Sequence, residues 1–438
     1  MKHSRVWALL ALVLSVLAAP AVVVIDVDSD HADGIYRRGE TAIFTVNVEQ
    51  APEPATPNAP PPKEGRTPLA EGSCSWTLSK DGVGSLGTGQ QTLTGQPFRV
   101  EGRLDEPGIL RLTVFMKVAD KNVIGLGGAA YEPYELRPAA PAPDDFDAWW
   151  DEQKKLLAAV PMNPVLTASE KYSTDKIAVA QLTLANLNGT SVRGWFCRPK
   201  EPGKYPAILS VPGAGFSPTG PAVYLGGNWL SVNISVHDEP IDREPAWYQE
   251  RYATGGALNG YPHFGRESRD SYYYRRVFLS FVRAIDFLTS QPDWDGRTMV
   301  VVGSSQGGGS ALVAAGLDPR VTAASANVPA MCDHKGLLIG RTSGWPRLIP
   351  NPNASEVITT AGYYDAANFA GRIKCPVLVS VGLIDTTCPP TSVFAAFGAI
   401  PTTAKRMMVF PKMGHAMDPQ FGRAQAEFLE AQRTAAAP

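Results

Sequence analysis

A serine between two glycines, placed between an apolar run and an alanine-rich segment, constrains this chain most. Residues 298–302 read Thr-Met-Val-Val-Val, residues 303–307 read Gly-Ser-Ser-Gln-Gly, and an Ala/Leu-rich stretch follows at 310–315. This pattern predicts a buried strand, a sharp turn and a helix. It is the context of a G-x-S-x-G nucleophile elbow, which makes Ser305 the candidate nucleophile. An ordinary Gly/Ser turn is the alternative, and the flanking segments disfavour it.

A serine hydroxyl needs a base, and the base needs an acid to orient it. When an elbow of this kind carries a catalytic triad, the acid and then the histidine follow the serine along the chain, each in a loop beyond a strand. The run 375–382 predicts a strand that leads to Asp385, and the run 406–410 predicts another that precedes His415. These two residues are therefore the candidate acid and base. The alternatives are a turn residue at Asp385 and a surface or helix-capping histidine at His415.

The other histidines fit the pattern less well. His334 follows the serine but precedes every candidate acid strand, so it is the second choice for the base. His237, Asp238 and Glu239 stand together, but consecutive side chains seldom converge on one ion. We expect no metal ion and no cofactor, because acyl transfer needs only a nucleophile, a base and oxyanion donors.

Two backbone amides are candidate oxyanion donors. The N–H of Gln306 lies in the first turn of the predicted helix, where it has no intrahelical acceptor. The second candidate is the N–H of Ala214, in a glycine-rich turn after the predicted strand at 207–211. Active-site groups gather at this end of strands in a parallel sheet.

Candidate substrate contacts come from aromatic side chains in two loops. Residues 238–274 form a long excursion at the same predicted end of the sheet, and Tyr261 and Tyr272 lie in it. Trp345 lies in a second loop. Aromatic faces suit sugar rings, and long loops at a functional edge often build a pocket. The alternative is that these rings only pack the excursion against the domain.

Several segments together carry a family resemblance. They are Asp-Ser-Tyr-Tyr-Tyr-Arg-Arg-Val-Phe at 270–278, Gly-Ser-Ser-Gln-Gly-Gly-Gly at 303–309, Leu-Asp-Pro-Arg-Val at 317–321, Val-Gly-Leu-Ile-Asp at 381–385 and Cys-Pro-Pro at 388–390. Over about residues 145–430 the chain resembles the acetyl xylan esterase and cephalosporin-C deacetylase family of carbohydrate esterases. The resemblance implies an α/β-hydrolase fold, removal of acetyl groups from sugars, and a triad at Ser305, Asp385 and His415. Val-His-Asp-Glu-Pro at 236–240 stands where that family has an Arg-Gly-Gln motif.

Length and composition indicate two globular domains. The chain has 438 residues, 44% of them hydrophobic and 19% charged, and its formal net charge of −2 disfavours a nucleic-acid partner. Alternating patterns predict an all-β, immunoglobulin-like sandwich at 22–136. This domain is either a carbohydrate-binding or substrate-positioning module or, as we favour, a spacer or oligomer contact. A proline-rich linker is expected at 137–144. Strands alternating with helices then predict an α/β-hydrolase domain with a doubly wound, mostly parallel sheet at 145–438.

Residues 1–21 have the plan of a secretory signal peptide. Lys2 and Arg5 precede an apolar run at 7–19, and Ala-Pro-Ala follows at 19–21. The expected location is secreted or periplasmic, with no membrane contact after cleavage; a retained membrane anchor is the alternative.

Five cysteines are few and odd in number, so we expect free thiols, although Cys375 and Cys388 bracket the Asp385 loop and are a candidate disulfide pair.

The sequence as a whole predicts a secreted serine esterase that removes O-acetyl groups from acetylated xylan or xylo-oligosaccharides. Two alternatives remain open. One is an α/β-hydrolase that acts on another ester or on a peptide. The other is a catalytically silent polysaccharide-binding protein. Assembly into a homo-oligomer is also left open.

Overall fold

The computed structural model describes residues 21–54, 56, 59–215 and 220–435. Residues 1–20 of the expected signal peptide lie outside the described residues, and Ala21 begins the first strand. The strands are β1 Ala21–Ser29, β2 Ile35–Tyr36, β3 Ala42–Pro52, β4 Thr67–Pro68, β5 Ser73–Lys80, β6 Val83–Thr92, β7 Phe98–Gly102, β8 Gly108–Val118, β9 Lys121–Tyr131, β10 Val165–Ala168, β11 Ile177–Ala185, β12 Ser191–Pro199, β13 Tyr205–Val211, β14 Leu230–Ile234, β15 Trp294–Ser304, β16 Ala323–Asn327, β17 Val377–Gly382 and β18 Lys405–Phe410.

The helices lie mainly in the second half of the chain. The α-helices are α1 Phe146–Ala158, α2 Pro245–Tyr252, α3 Tyr274–Thr289, α4 Gln306–Leu317, α5 Ser355–Tyr364, α6 Ala366–Ala370, α7 Pro390–Ala399 and α8 Pro419–Ala435. Short 3-10 helices lie at Pro133–Glu135, Leu187–Gly189, Leu225–Gly227, Tyr261–His263 and His334–Ile339. Within the described part of the chain, every helix is too short or too polar to cross a bilayer.

Strands β1–β9, the N-terminal β region, form two sheets around one core. One sheet has the order β1-β3-β4 with β7 also paired to β3, and the other has the order β2-β9-β8-β5-β6. Phe44 of the first sheet and Leu112 and Val114 of the second are fully buried in the same hydrophobic cluster. Alternate residues of β3 are buried, as a strand with one face on a core requires. The immunoglobulin-like topology and the predicted domain limits stay predictions.

The remaining strands form one nine-stranded sheet in the order β10-β11-β12-β14-β13-β15-β16-β17-β18. The pairs from β10 to β14 are antiparallel, and those from β14 to β18 are parallel. The chain passes from β13 outward to β14 and then returns to place β15 on the other side of β13. The strand order therefore reverses between β13 and β15, which is where ligands bind in open α/β sheets.

The parallel strands are buried on both faces. Alternate residues of β15 belong to different clusters: Met299 and Val301 join the large core that also holds α3 and α4, whereas Val300 and Val302 join a cluster with Leu429 of α8. Near-continuous apolar runs are expected for strands covered by helices on both sides. The apolar run that precedes the serine is thus explained by this two-sided burial.

Helix α1 is anchored to the large core by its two tryptophans. Trp150 is 2% exposed and its indole N–H donates to the carbonyl of Tyr363 at 3.0 Å. The rings of Trp149 and Trp150 also lie against Tyr364, at centroid distances of 5.9 and 5.5 Å. Their role is packing of the helix against the sheet domain.

The N-terminal β region packs directly on the loops at the carboxyl edge of the nine-stranded sheet. Ile109 and Ala130 of this region belong to the large core. A Cβ atom built on Gly128 would lie 2.5 Å from the carbonyl oxygen of Leu383, so β9 approaches the Asp385 loop at backbone distance. A cavity of about 660 Å³ lies beside this contact, lined from both sides by residues that include Asp28, His31, Lys412 and Met417.

Candidate active site

Ser305 lies in a strained turn between β15 and α4. Its φ is 60° and its ψ is −121°, a conformation that residues with a Cβ atom rarely adopt. Neighbouring backbone groups hold this turn on both sides: the Ser305 N–H donates to the carbonyl of Asn327 at 2.9 Å, and the Ser305 carbonyl accepts from the N–H of Ala330 at 2.9 Å and from that of Gly309 at 3.0 Å. The strained turn is therefore fixed by its surroundings.

Two glycines make room for this turn. A Cβ atom built on Gly303 would lie 2.2 Å from the carbonyl oxygen of Gly307, and one built on Gly307 would lie 2.1 Å from the carbonyl oxygen of Val211. Real Cβ contacts are not that short, so any other residue would push the helix away from the strands. Glycine at both positions therefore lets α4 approach the strands closely.

The three predicted catalytic side chains meet at one point. His415 Nε2 lies 2.8 Å from Ser305 Oγ, and His415 Nδ1 lies 2.8 Å from Asp385 Oδ2. In a neutral imidazole the nitrogen that faces the carboxylate donates, and the other nitrogen accepts from the serine O–H. Asp385 is fully buried, Ser305 is partly exposed and His415 is exposed, so the chain of hydrogen bonds leads from the interior to the surface.

The loop that carries Asp385 is held through its carboxylate and its backbone. Asp385 Oδ1 accepts hydrogen bonds from the N–H groups of Thr387 at 2.7 Å and Cys388 at 2.9 Å, which leaves Oδ2 for the histidine. The carbonyls of residues 385–387 are also all occupied. They accept, in chain order, from Arg111 Nη2 at 3.1 Å, Arg347 Nη2 at 2.9 Å and the Trp345 N–H at 3.0 Å.

Asn327, buried at the end of β16, joins the serine and histidine segments. Its Nδ2 donates to Ser304 Oγ at 2.7 Å and to the carbonyl of Ala416 at 3.2 Å. Its Oδ1 accepts from Ser380 Oγ at 2.6 Å. The sequence analysis missed Asn327, although an asparagine that ends an apolar strand at the sheet's functional edge was a usable signal.

The two candidate oxyanion donors lie on either side of Ser305. Strand register pairs Val211 with Gly303, so the turn after β13 lies beside the elbow. A Cβ atom built on Gly213 would lie 4.0 Å from Ser305 Cβ, and Ala214 follows it in an exposed position. Gln306 is the first residue of α4, where a backbone N–H has no acceptor inside the helix.

Tyr261 and Tyr272, predicted to contact substrate, are buried. Tyr261 is 0% exposed; its hydroxyl donates to Gln306 Oε1 at 2.6 Å, and Tyr274 donates to the same oxygen at 2.6 Å. Tyr272 is 3% exposed and its hydroxyl donates to the carbonyl of Pro262 at 2.9 Å. The structure therefore gives both rings packing and positioning roles. Their hydroxyls are engaged within the protein and their rings offer no open surface to a sugar.

Trp345 remains the candidate substrate contact among the predicted aromatic residues. Its ring is partly exposed and lies 6.4 Å from that of Tyr261, between centroids. Its backbone connects two loops, because its N–H donates to Thr387 at 3.0 Å and its carbonyl accepts from Met331 at 2.6 Å. A sugar contact at Trp345 stays a prediction.

His237 supports the glycine-rich turn that carries Ala214. Its Nε2 lies 3.0 Å from the carbonyl of Gly215, and its Nδ1 lies 2.6 Å from the hydroxyl of Tyr273. Burial lowers the pKa of His237 to about 4, so the imidazole is neutral at pH 7. A neutral ring with Nε2–H donating to Gly215 and Nδ1 accepting from Tyr273 satisfies both contacts. This is the histidine that stands in place of the family's Arg-Gly-Gln segment.

The remaining ionisable candidates have other partners. Asp238 pairs with Arg193 at 3.2 Å and Glu239 with Arg251 at 3.6 Å, so the acidic residues beside His237 point to different cations. His334, the second choice for the base, is 1% exposed, and burial lowers its pKa to about 4. The histidine that bonds to Ser305 is His415.

One group of possible metal ligands occurs among the described residues, and it overlaps the triad. Donor atoms of Asp385, Cys388 and His415 lie within 4.8 Å of one another. The carboxylate and the imidazole already bond to each other, and burial raises the pKa of the Cys388 thiol well above its usual value, which opposes the thiolate that a metal would need. All five cysteines are free in the structure, so the candidate pair Cys375 and Cys388 is not bridged there.

The fold and the site define a class of protein, a carboxylic-ester hydrolase on an α/β-hydrolase sheet. The chain belongs to the acetyl xylan esterase family, because the model described as "Acetyl xylan esterase (AXE1)" matches residues 131–432. It is similar to the acetyl esterase Axe7A of Xylanibacter ruminicola, with 33% identity over 405 residues, which cover 88% of this chain and 85% of the relative. The protein is therefore a carbohydrate esterase.

Two solved structures are similar to the main part of this chain. One is an acetyl xylan esterase from Paenibacillus sp. R4, with 29% identity and a TM-score of 0.58 over 68% of this chain and 98% of that one. The other is acetyl xylan esterase 1 from Thermoanaerobacterium sp. JW/SL YS485, with 27% identity and a TM-score of 0.58 over 69% and 98%. The family match begins at residue 131, so almost all of the N-terminal β region precedes the matched part.

The low pKa of His237 predicts a pH-dependent difference in stability between the protein and His237→Gln. Because the folded pKa is about 4 and the usual value is 6.5, the unfolded chain takes up a proton first, and stability is lost as the pH falls from about 6.5 towards 4. Between pH 7 and pH 4.5, the free energy of unfolding should fall by roughly 2 kcal/mol more in the wild type than in His237→Gln, measured by denaturant titration.

His31→Gln is the control for this measurement. The pKa of His31 is raised, first by the Ile35 carbonyl, so its contribution to stability has the opposite sign and is lost as the pH rises. This variant should not reproduce the reduced acid sensitivity. Equal acid-induced losses in the wild type and in His237→Gln would contradict the neutral, buried state of His237.

Proposed function

We propose that this protein removes O-acetyl groups from acetylated xylan or xylo-oligosaccharides through a Ser305–His415–Asp385 acyl-enzyme mechanism. One observation carries the proposal: the unbroken chain of two 2.8 Å hydrogen bonds from Ser305 Oγ through His415 to Asp385. It lies at the carboxyl edge of the sheet, beside the reversal of strand order, where α/β folds bind their ligands.

In the first step, Ser305 Oγ attacks the acetyl carbonyl carbon while its proton passes to His415 Nε2. Asp385 keeps the imidazole in the required tautomer and stabilises the cation that forms. The carbonyl electrons move to oxygen, and the N–H groups of Gln306 and Ala214 are the proposed donors to this oxyanion. Each such donor typically contributes about 10²- to 10³-fold in rate.

The intermediate then collapses to an acetyl-enzyme. The bond to the sugar oxygen breaks, and His415 returns its proton to that oxygen, so that the sugar leaves as a neutral alcohol. Water enters, gives a proton to His415 and attacks the acetyl carbonyl. Collapse of the second intermediate releases acetate and restores the Ser305 hydroxyl. His415 is exposed, which lets water reach it without a large rearrangement.

Family membership supports the acetyl group and the sugar as the substrate class, since the similar proteins are titled acetyl esterase and acetyl xylan esterase. An esterase for longer acyl chains is the second candidate. The sequence leaves it open, because residues 236–238 depart from the family pattern and His237 bonds to the turn that carries a proposed oxyanion donor.

Replacement of the proposed nucleophile should abolish turnover. Ser305→Ala should lower kcat on p-nitrophenyl acetate by about 10⁶-fold, His415→Ala by a similar factor, and Asp385→Asn by about 10⁴-fold. Ser355→Ala, at an exposed serine that begins α5, is the matched control and should retain wild-type kcat. Wild-type rates in both His415→Ala and Asp385→Asn would rule out the proposed triad.

Acyl-chain selectivity separates the two candidate functions. On p-nitrophenyl acetate, butyrate and octanoate, the acetyl esterase proposal expects kcat/KM to decrease with chain length, and expects acetate release from acetylated xylo-oligosaccharides that depends on Ser305. A rise in kcat/KM with chain length would instead favour the second candidate. Sugar binding without any acetate release would favour a silent polysaccharide-binding protein.

We also propose that the protein is exported and that its leader is removed near Ala21. The supporting observation is the basic, apolar and small-residue order of residues 1–21. Expression with the native leader in a bacterial host, followed by amino-terminal sequencing of the periplasmic and secreted fractions, should give a mature protein that begins close to Val22. An uncleaved, membrane-bound product would contradict export with cleavage.

A further inference from the structure

A side chain from the N-terminal β region reaches the loop of the proposed catalytic acid. Arg111 lies in β8, and its Nη2 donates to the backbone carbonyl of Asp385 at 3.1 Å, although 274 residues separate them in the chain. Both residues are buried, with Arg111 6% exposed and Asp385 0% exposed. We propose that Arg111 is a positioning residue for Asp385, and that the N-terminal β region is thereby part of the working esterase; this inference rests on the proposed function.

Burial of this guanidinium is costly unless nearby groups compensate for it. Arg111 Nε is buried and has no hydrogen-bond partner, and burial lowers the pKa of the guanidinium. The negative charges of Asp81 and Asp385 oppose that effect. The cation is therefore retained between two carboxylates, one from each part of the chain, and its hydrogen bond goes to the acid loop.

Two glycines of the N-terminal β region leave room for the contact between Arg111 and the Asp385 loop. A Cβ atom built on Gly82 would lie 2.6 Å from Arg111 Nη1, so a side chain there would displace the guanidinium. Gly128 faces Arg111 across the β8–β9 pair. A Cβ atom built on it would lie 2.5 Å from the Leu383 carbonyl oxygen, so a side chain there would clash with the acid loop. Two positions without side chains thus let the arginine and the acid loop meet.

Asp81 makes a second contact between the N-terminal β region and the site, through Thr342. It is 1% exposed, and burial raises its pKa to about 6. Its Oδ2 accepts from the Thr342 N–H at 3.0 Å and its carbonyl accepts from Thr342 Oγ1 at 2.8 Å. Thr342 lies three residues before Trp345, whose N–H bonds to the carbonyl of Thr387. The N-terminal β region therefore holds the acid loop directly through Arg111 and indirectly through this segment.

A loop held in this way presents the carboxylate to His415 at a fixed position. If Arg111 is removed, the Asp385 carbonyl loses its charged donor, and a contact that fixes the acid loop relative to the imidazole is lost. Small displacements of catalytic groups can cost up to about 10²-fold in rate. Because Arg111 does not contact the reacting atoms, the loss should fall on kcat and not on substrate binding.

The test uses the full-length protein with Arg111→Met and p-nitrophenyl acetate. We expect kcat to fall by about 10- to 100-fold with KM changed by less than about 2-fold. Arg103→Met, at a side chain of the same region that is 61% exposed, is the matched control and should keep wild-type kinetics. Asp81→Asn/Arg111→Met removes both buried charges and serves as the second variant, because a lone Asp81 carboxylate could impair folding.

A double-mutant comparison separates positioning from a general loss of stability. In an Asp385→Ala background, Arg111→Met should change the residual kcat by less than about 2-fold, because the side chain that Arg111 positions is absent. An equal fractional loss in both backgrounds would overturn the proposal, as would wild-type kcat in both Arg111 variants. Failure of both variants to fold would also overturn it, by assigning Arg111 to structure alone. Retained turnover in Ser305→Ala would instead show that the proposed function is wrong.

Discussion

The whole site depends on Ser305, whose backbone conformation is unfavourable without support from its surroundings. Ser305 has φ of 60° and ψ of −121°, and a turn of this kind persists only where surrounding groups stabilise it. Here the carbonyl of Asn327 and the N–H of Ala330 bond to its backbone, and two glycines let α4 approach the strands. The same turn begins α4, whose first N–H groups have no acceptor inside the helix. One local constraint thus underlies both the proposed nucleophile and one of its proposed oxyanion donors.

Buried polar groups fix the position of each partner of that serine. Asn327 connects the elbow to the His415 loop through Ser304 and Ala416, and it connects both to β17 through Ser380. On the oxyanion side, Tyr261 and Tyr274 share Gln306 Oε1, and His237 bonds to Gly215. On the acid side, donors from separate segments bond to consecutive carbonyls after β17. A buried polar group that lacks a partner is costly, so networks of this kind favour one geometry.

The N-terminal β region contacts the loops of the candidate active site directly, which its sequence does not predict. The sequence favours a spacer or an oligomer contact, and both stay predictions. The structure adds a third role, because Arg111 and Asp81 cross from this region to the Asp385 loop and to Thr342. The two similar solved structures match about two thirds of this chain and nearly all of their own.

The sequence determined those features that depend on local pattern and chain order. The apolar run and the glycines around Ser305 predicted the elbow, and the strands before Asp385 and His415 placed both residues at the same edge of a parallel sheet, since the carboxyl ends of parallel strands lie together. Only the tertiary structure decided which buried polar groups support that arrangement. Tyr261 and Tyr272 have aromatic side chains of the type that contacts sugars, yet both are buried. Arg111 bonds to Asp385, which lies 274 positions later in the chain. Burial and long-range pairing depend on how sheets and loops pack, and no periodicity in the chain encodes them directly.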